Sequence, residues 1–415
     1  MVMLGITNPA LPASLRRTNE RTVISLLFRL GRASRADLAK AAGISQPTAG
    51  KIISELLEAG ILQAAESDPD DSLEVAPRPG RPGQLLHLNS VSDRFIAVEI
   101  GISETRVTAL PVACQAEERW THSFPTPDSP EEWQRQIRRL GLDTTGFWGT
   151  LVSVPGIVDE ITGAVVFSPN LHWLEKATLK SLVSEVWKLP VVLLQEIRAL
   201  ALGHMAADPE AADFLLVDFG HGVGGAVVSK GKLLASALPL VAELGHTPVP
   251  GNDRRCGCGA QGCLETLVST RGLLESYQSF AKTTKPSWNS LVSHVHKRGI
   301  EPWIAHALNS TADVIAGALN MLGLRRVILT GNLSDLPQAA FERVRHRVCR
   351  GALWARFGNI EFLLAPRRRS AGLVAFGIDR LLLPSGGDEP TRSYGSNRKT
   401  RKQHRTNSRA PSLTL

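Results

Sequence analysis

No window of this 415-residue chain approaches the run of ~18 apolar residues that a membrane helix needs. The first fifteen residues also lack a basic segment followed by a sustained apolar stretch, the pattern of a secretory leader. The expected location is therefore the cytoplasm, with no membrane partner. Cysteine is scarce as well. There are five, and three of them, Cys256, Cys258 and Cys263, fall within eight positions. So sparse a set does not make the disulfide framework of a small secreted scaffold, and the clustering points to metal instead. Beyond Pro384 apolar residues almost vanish in favour of Gly, Ser, Arg and Asn. Residues 384–415 cannot bury enough surface to fold and are expected to be a basic disordered tail.

The length suggests two or three domains at roughly 100–200 residues each. The formal charge of +8 and the pI of about 9.5 would suit a polyanion, but where the charge sits matters more than its total. Eight Lys/Arg lie between Arg16 and Lys51, opposed by Glu20, Asp37 and, just beyond, Glu55, which leaves about +5. The tail carries about +5 more. The body between them is close to neutral.

The basic N-terminal stretch has the punctuation of three helices. Val23, Ile24, Leu27 and Leu30 give an amphipathic helix over Thr18–Leu30, stopped by Gly31. Ser34 can cap a short second helix with Asp37 at its third position, and Gly43 turns the chain after Ala42. Ser45 can cap a third helix, with Pro47 in the first turn, where a missing N–H does no harm, and Gly60 closing it. Small Ala39 and the turn at Gly43 make this a helix-turn-helix pattern. Ala49, Ile52, Ile53 and Leu56 supply the inward face, and Ser45, Gln46, Thr48 and Lys51 are left to meet a major groove. Two short strands follow, around Ile61-Leu62 and Leu85–Leu88, joined by an acidic loop and a Pro/Gly-rich stretch that carries Arg78 and Arg81. Such a pair makes a wing whose arginines could reach phosphates or a narrow minor groove. A small helical domain with a solvated basic face is the plainer alternative. The winged domain is expected over residues 1–92.

From Phe95 the pattern changes to strands alternating with helices. Strands are expected at Phe95–Ile100, Arg106–Val112, Thr150–Val154, Ala164–Phe167, Val191–Leu194, Phe214–Val217 and Val327–Thr330. This is an α/β body over residues 93–383. Within it, His246, Cys256, Cys258 and Cys263 form the tightest constellation in the chain. One imidazole and three thiolates are a structural zinc set, closed to a reactive water. Three inert thiols beside a surface histidine are the alternative.

Glu243-Leu244-Gly245-His246, followed by Cys256-Gly257-Cys258-Gly259-Ala260-Gln261-Gly262-Cys263-Leu264-Glu265, resembles the hallmark of the ROK family of bacterial repressors, uncharacterised reading frames and sugar kinases. The resemblance runs from about Arg17 to about Leu383 and includes Val154–Val158 and Ser168–Leu171. It implies an actin-like, hexokinase-type body of two α/β lobes with a sugar cleft between them, preceded by the winged domain. It further implies that Glu243 and Glu265 accept hydrogen bonds from sugar hydroxyls, and that His246 binds zinc through one ring nitrogen and faces the sugar with the other. Asn170, Gln195 and Glu196 complete the implied sugar site.

The kinases of the family carry an Asn-Asp-x-Asn after the strand that ends near Leu194, where this chain has Gln195-Glu196-Ile197-Arg198. Glu196 occupies the kinase aspartate position with an added methylene, and a displacement of ~1 Å can cost ~100-fold. The first phosphate loop is Glu99-Ile100-Gly101-Ile102-Ser103-Glu104, in which Ile102 replaces a glycine and Glu104 would repel phosphate. The second, Gly220–Gly225, is better preserved but reads equally well as a tight β-turn. The resemblance thus implies a repressor of carbohydrate genes rather than an enzyme. It would bind a double-stranded operator as a homodimer or homotetramer and sense a sugar or sugar derivative, with zinc as a structural cofactor. A sugar kinase with a fused DNA-binding domain and a regulator answering to a protein partner are the alternatives.

Overall fold

The computed structural model describes residues 12–65, 84–114, 119–159, 162–208, 211–234 and 240–383. The loop carrying Arg78 and Arg81 and the tail from 384 lie outside the described residues. The N-terminal helices follow the punctuation of the sequence: α1 (Pro12–Leu30), then β1 (Ala33–Ser34), α2 (Arg35–Ala42) and α3 (Gln46–Glu58). Helix α1 begins before the expected Thr18. The Ser34 hydroxyl accepts from the Asp37 N–H, and that of Ser45 from the Thr48 N–H, each satisfying one donor that a helix start leaves unpaired. Gly43 takes the left-handed conformation at φ 64°, so the chain can turn directly from α2 into α3. Strands β2 (Leu62–Ala64) and β3 (Leu85–Leu88) pair antiparallel, and β3 also takes up β1, giving a three-stranded sheet of order β1-β3-β2.

The first lobe contains β4 (Asp93–Ile100), β5 (Glu104–Pro111), β6 (Thr121–Pro125), α4 (Pro130–Arg139) and β7 (Gly149–Val154). The small hairpin β8 (Ile157–Asp159) and β9 (Ala164–Phe167) follows, and then α5 (Leu179–Trp187), β10 (Val191–Gln195) and α6 (Glu196–Ala207). Its sheet runs β10-β7-β4-β5-β6, parallel across β10, β7 and β4 and antiparallel from β4 to β6. All six residues of β7 are buried, as expected of a strand covered on both faces.

The second lobe contains β11 (Phe214–Phe219), β12 (Val223–Ser229), β13 (Lys232–Leu233), α7 (Glu265–Val268), α8 (Thr270–Ala281), α9 (Trp288–Arg298), α10 (Pro302–Leu322), β14 (Arg326–Gly331), α11 (Gln338–Gly351) and β15 (Glu361–Leu364). Its sheet, β13-β12-β11-β14-β15, repeats the plan of the first, with an antiparallel meander followed by two parallel additions. The last helix, α12 (Arg369–Gly377), crosses back to pack beside α6 in the first lobe and continues into a π-helical turn at Ile378–Leu382.

The expected strands are present with ends shifted by one or two residues. The short or glycine-bearing ones, β6, β8, β12, β13 and β15, had no clear signal. Gly224 and Gly225, read as part of a loop, lie inside β12, where a side chain at Gly225 would collide with the Ala242 carbonyl. One buried cluster joins Val23, Leu27, Ile53 and Leu86 of the N-terminal part to Phe95, Leu110, Leu151 and Leu373 of the first lobe.

Candidate functional site

Two separate surfaces carry chemistry. On α3 the buried face is Ala49, Ile52, Ile53 and Leu56, while Ser45, Gln46, Thr48 and Lys51 are exposed. The helix N-terminus is thus free on the side where a duplex would lie.

The second surface begins at the cysteine segment. His246 ends a short 3-10 turn, and the chain from Val249 to Cys263 folds on itself, with Cys256 N–H donating to the Ala260 carbonyl and Gly259 N–H to Cys256. Gly259 and Gly262, at φ 90° and 83°, allow those reversals. The ligand atoms of His246, Cys256, Cys258 and Cys263 all lie within 4.8 Å of one another. His246 Nδ1 is 3.6 Å from Cys256 Sγ, and the sulfurs of Cys258 and Cys263 are 3.7 Å apart. A tetrahedron with Zn–S bonds of about 2.3 Å has edges of about 3.8 Å, so the donor set fits a zinc ion in both kind and spacing. Burial pushes the bare Cys263 thiol up to about 12 and raises Cys256, and a cation in their midst supplies the field that makes such thiols ligands.

Beside this cluster lies a cavity of about 640 Å³ between the lobes. Its lining brings together Asn170, the adjacent Gln195 and Glu196, Glu243 with His246, and Glu265 from four separated places in the chain. Glu265 heads α7, where a carboxylate suits the helix dipole, and its Oε2 accepts from the Val223 N–H at 2.8 Å. Burial raises the Glu243 carboxyl above its ordinary range, while the charge of His246 and a hydrogen bond from Gln195 oppose that rise. Carboxylates and amides converging on a partly enclosed cavity suit a ligand with several hydroxyls.

The other end of the cavity is lined by Gly101, Ile102, Ser103, Asp218, Gly220, Gly222, Asn332, Arg367 and Arg369. Here every carboxylate is held by an arginine. Arg367 Nε donates to Asp218 Oδ1 at 2.7 Å and its NH2 to Oδ2 at 3.0 Å and to the Phe219 carbonyl at 2.9 Å. Arg369 NH1 donates to Glu99 Oε2 at 3.1 Å, and its NH2 pairs with Glu196. Glu196 therefore begins α6 in an ion pair inside the cleft. Sequence reasoning missed Arg367, Arg369 and Asp218. The visible signal was the run Pro366-Arg367-Arg368-Arg369 just before a helix of small residues.

The ROK family profile matches residues 95–375, more than half of the chain, and a winged helix-turn-helix DNA-binding profile matches residues 16–63. The xylose repressor of Caldicellulosiruptor bescii is 22% identical over 395 residues, covering 89% of this chain and 97% of that protein. Among solved structures, a ROK family transcriptional regulator described as a homologue of the Escherichia coli MLC protein superposes with a TM-score of 0.66 at 18% identity. It covers 88% of this chain and 97% of its own. A ROK family glucokinase from Streptomyces griseus, solved with glucose and AMPPNP, superposes with a TM-score of 0.55 at 22% identity, over 68% of this chain and 97% of its own. The regulator thus matches a larger share of this chain than the kinase does.

Proposed function

We propose, since the chain belongs to the ROK family and carries a winged helix-turn-helix domain, that it is a DNA-binding transcriptional repressor of carbohydrate genes that acts in the cytoplasm. Ser45, Gln46, Thr48 and Lys51 contact the operator, with Arg78 and Arg81 of the wing assisting. Two subunits of a homodimer, or pairs within a homotetramer, read half-sites about 34–36 Å or a multiple of that apart. The domain limits that go with this reading are 1–92 for the winged part, 93–383 for the sensor body and 384–415 for the tail.

The effector is a sugar or sugar derivative whose hydroxyls meet Glu243, Glu265, Asn170, Gln195, Glu196 and His246. Zinc held by His246, Cys256, Cys258 and Cys263 fixes the imidazole so that its remaining nitrogen is presented to the cavity. The observation that carries the reading is the pairing of Asp218 and Glu196 with Arg367 and Arg369. A phosphoryl-transfer cleft needs its carboxylates free to hold a magnesium ion or accept a proton, and here they are neutralised from within. The body is therefore read as a sensor that has lost kinase chemistry.

Recovery and sequencing of genomic fragments bound by the purified protein tests the first part, with release by D-xylose, D-glucose and N-acetylglucosamine measured on the recovered sites. Genes of sugar uptake and breakdown beside those sites are the expected result. Fragments with no common sequence would overturn the reading. Robust ATP-dependent phosphorylation of any of these sugars, abolished by Glu196→Gln, would replace it with a kinase.

A further inference from the structure

One of the crossings between the two lobes is the short segment from Ala365 to Arg368, which leaves β15 in the second sheet and enters α12 beside the first. Arg367, on the near side of that crossing, grips Asp218 at the end of β11. Arg369, two residues on, grips Glu99 at the end of β4 and Glu196 at the start of α6. One strap thus holds a carboxylate of the second lobe and two of the first. An arginine as the first residue of a helix is opposed by the helix dipole, so its place at the head of α12 depends on those two carboxylates and on Ser370, whose hydroxyl also donates to Glu99 at 3.1 Å. The Arg369 Nε is buried with no hydrogen-bond partner. Its contacts therefore run through the two terminal nitrogens that face Glu99 and Glu196.

What α12 touches along its length gives the arrangement direction. A side chain at Gly203 of α6 would overlap the Arg368 carbonyl, and one at Gly372 of α12 would overlap the Ala199 carbonyl, so the two helices meet backbone to backbone. Contacts this close leave little room for one helix to shift without straining the other. At its far end α12 passes into the π-helical turn, a rare geometry. There the Asp379 carboxylate pairs with Arg21, and the Leu383 carbonyl accepts from Arg21 NH2 at 2.9 Å. Arg21 belongs to α1, which packs on α2 and α3.

We propose that Arg369 is the positioning residue through which the state of the cleft is transmitted to the DNA-reading helices: a ligand that draws Glu196 away loosens the head of α12, and the α6–α12 pair shifts its hold on α1 through Asp379 and Arg21. This rests on the reading of the cleft as an effector site. The transmission itself is a property of the free protein and can be tested without the effector.

Hydrogen exchange of full-length protein, without DNA or sugar, is compared for wild type, Arg369→Gln and Arg347→Gln. The last breaks the ion pair between α11 and Asp313 of α10, both in the second lobe, and serves as the control. Arg369→Gln is expected to change exchange in residues 16–30 and 46–58 by at least about fivefold, a typical size for coupling between sites. Arg347→Gln should leave those segments as they are. Unchanged exchange in Arg369→Gln, or an equal change in the control, would overturn the proposal. Arg369→Lys, which keeps the charge and loses the fork, takes its place if the glutamine variant does not fold, with the same direction expected. On recovered operator fragments, Asp379→Asn combined with Arg369→Gln should weaken or strengthen binding no further than either change alone, because both cut one connection. Additive effects would count against it. If no sugar releases wild-type protein from DNA while Arg369→Gln still alters exchange in α1, the transmission stands and the sugar-effector reading falls.

Discussion

At one end of the interlobe cavity, Glu243 and Glu265 stand near amides, an imidazole and the cysteine cluster; at the other, Asp218 is tied to Arg367 and Glu196 to Arg369, which also holds Glu99 behind the lining. The carboxylates of the first end keep lone pairs available to a visiting hydroxyl. Those of the second are committed to their own chain, in partly buried ion pairs. The same residue type is thus used for recognition in one place and for cohesion in the other, and what separates them is the position of two arginines on the strap between the lobes.

The largest effect that would break this comparison is at the cysteine end. Metal analysis of the purified chain is expected to find about one zinc per chain. Cys256→Ser should unfold or strongly destabilise the body, because structural zinc supplies on the order of 10 kcal/mol. A metal-free and fully stable wild type would remove the ion from the account. Next in size, Glu243→Gln should weaken release of DNA by the effector by about 1.5–3 kcal/mol, roughly 10- to 150-fold in effective concentration. An equal loss of operator affinity without effector would show that the residue stabilises the fold instead.

Two changes on α3 separate reading from holding. Gln46→Ala is expected to cost about 1–3 kcal/mol on the preferred site and to relax discrimination there. Lys51→Ala should weaken all sites alike and reduce the salt slope by about 1. Competition binding on matched and mismatched fragments at several salt concentrations distinguishes them.

The smallest effect concerns His204 on α6. Burial lowers its pKa, with Arg326 adding to the effect. Its folded form takes up a proton less readily than the unfolded chain, so stability is lost as the pH falls below the ordinary histidine range. Thermal melts between pH 7 and 5 should show a steeper decline in wild type than in His204→Gln. Parallel declines would assign the acid sensitivity elsewhere.

The helix-turn-helix was legible because its determinants are local. Ser34, Gly43 and Ser45 act on neighbours three residues away, and such signals survive in one dimension. The His/Cys set was legible for the same reason, with the four ligands falling within eighteen positions. The arginine strap was not. Arg367 lies 149 residues from Asp218, and Arg369 lies 173 and 270 residues from Glu196 and Glu99. Nothing in a short window pairs them. Glu196, Ile102 and Glu104 read as departures from a phosphate-handling pattern, but that a cation from the end of the body would meet Glu99 and Glu196 depends on how the lobes close.

The continuous buried cluster from Val23 and Ile53 to Phe95 and Leu373 has a practical meaning for anyone wishing to re-engineer the protein. A chimera cut between 92 and 93 would strip oily surface from both fragments and graft a reading head onto a base it was not shaped for. A transplant that keeps the response would carry α1 together with its seat, including Arg21, Asp379 and the face of α6 beneath them.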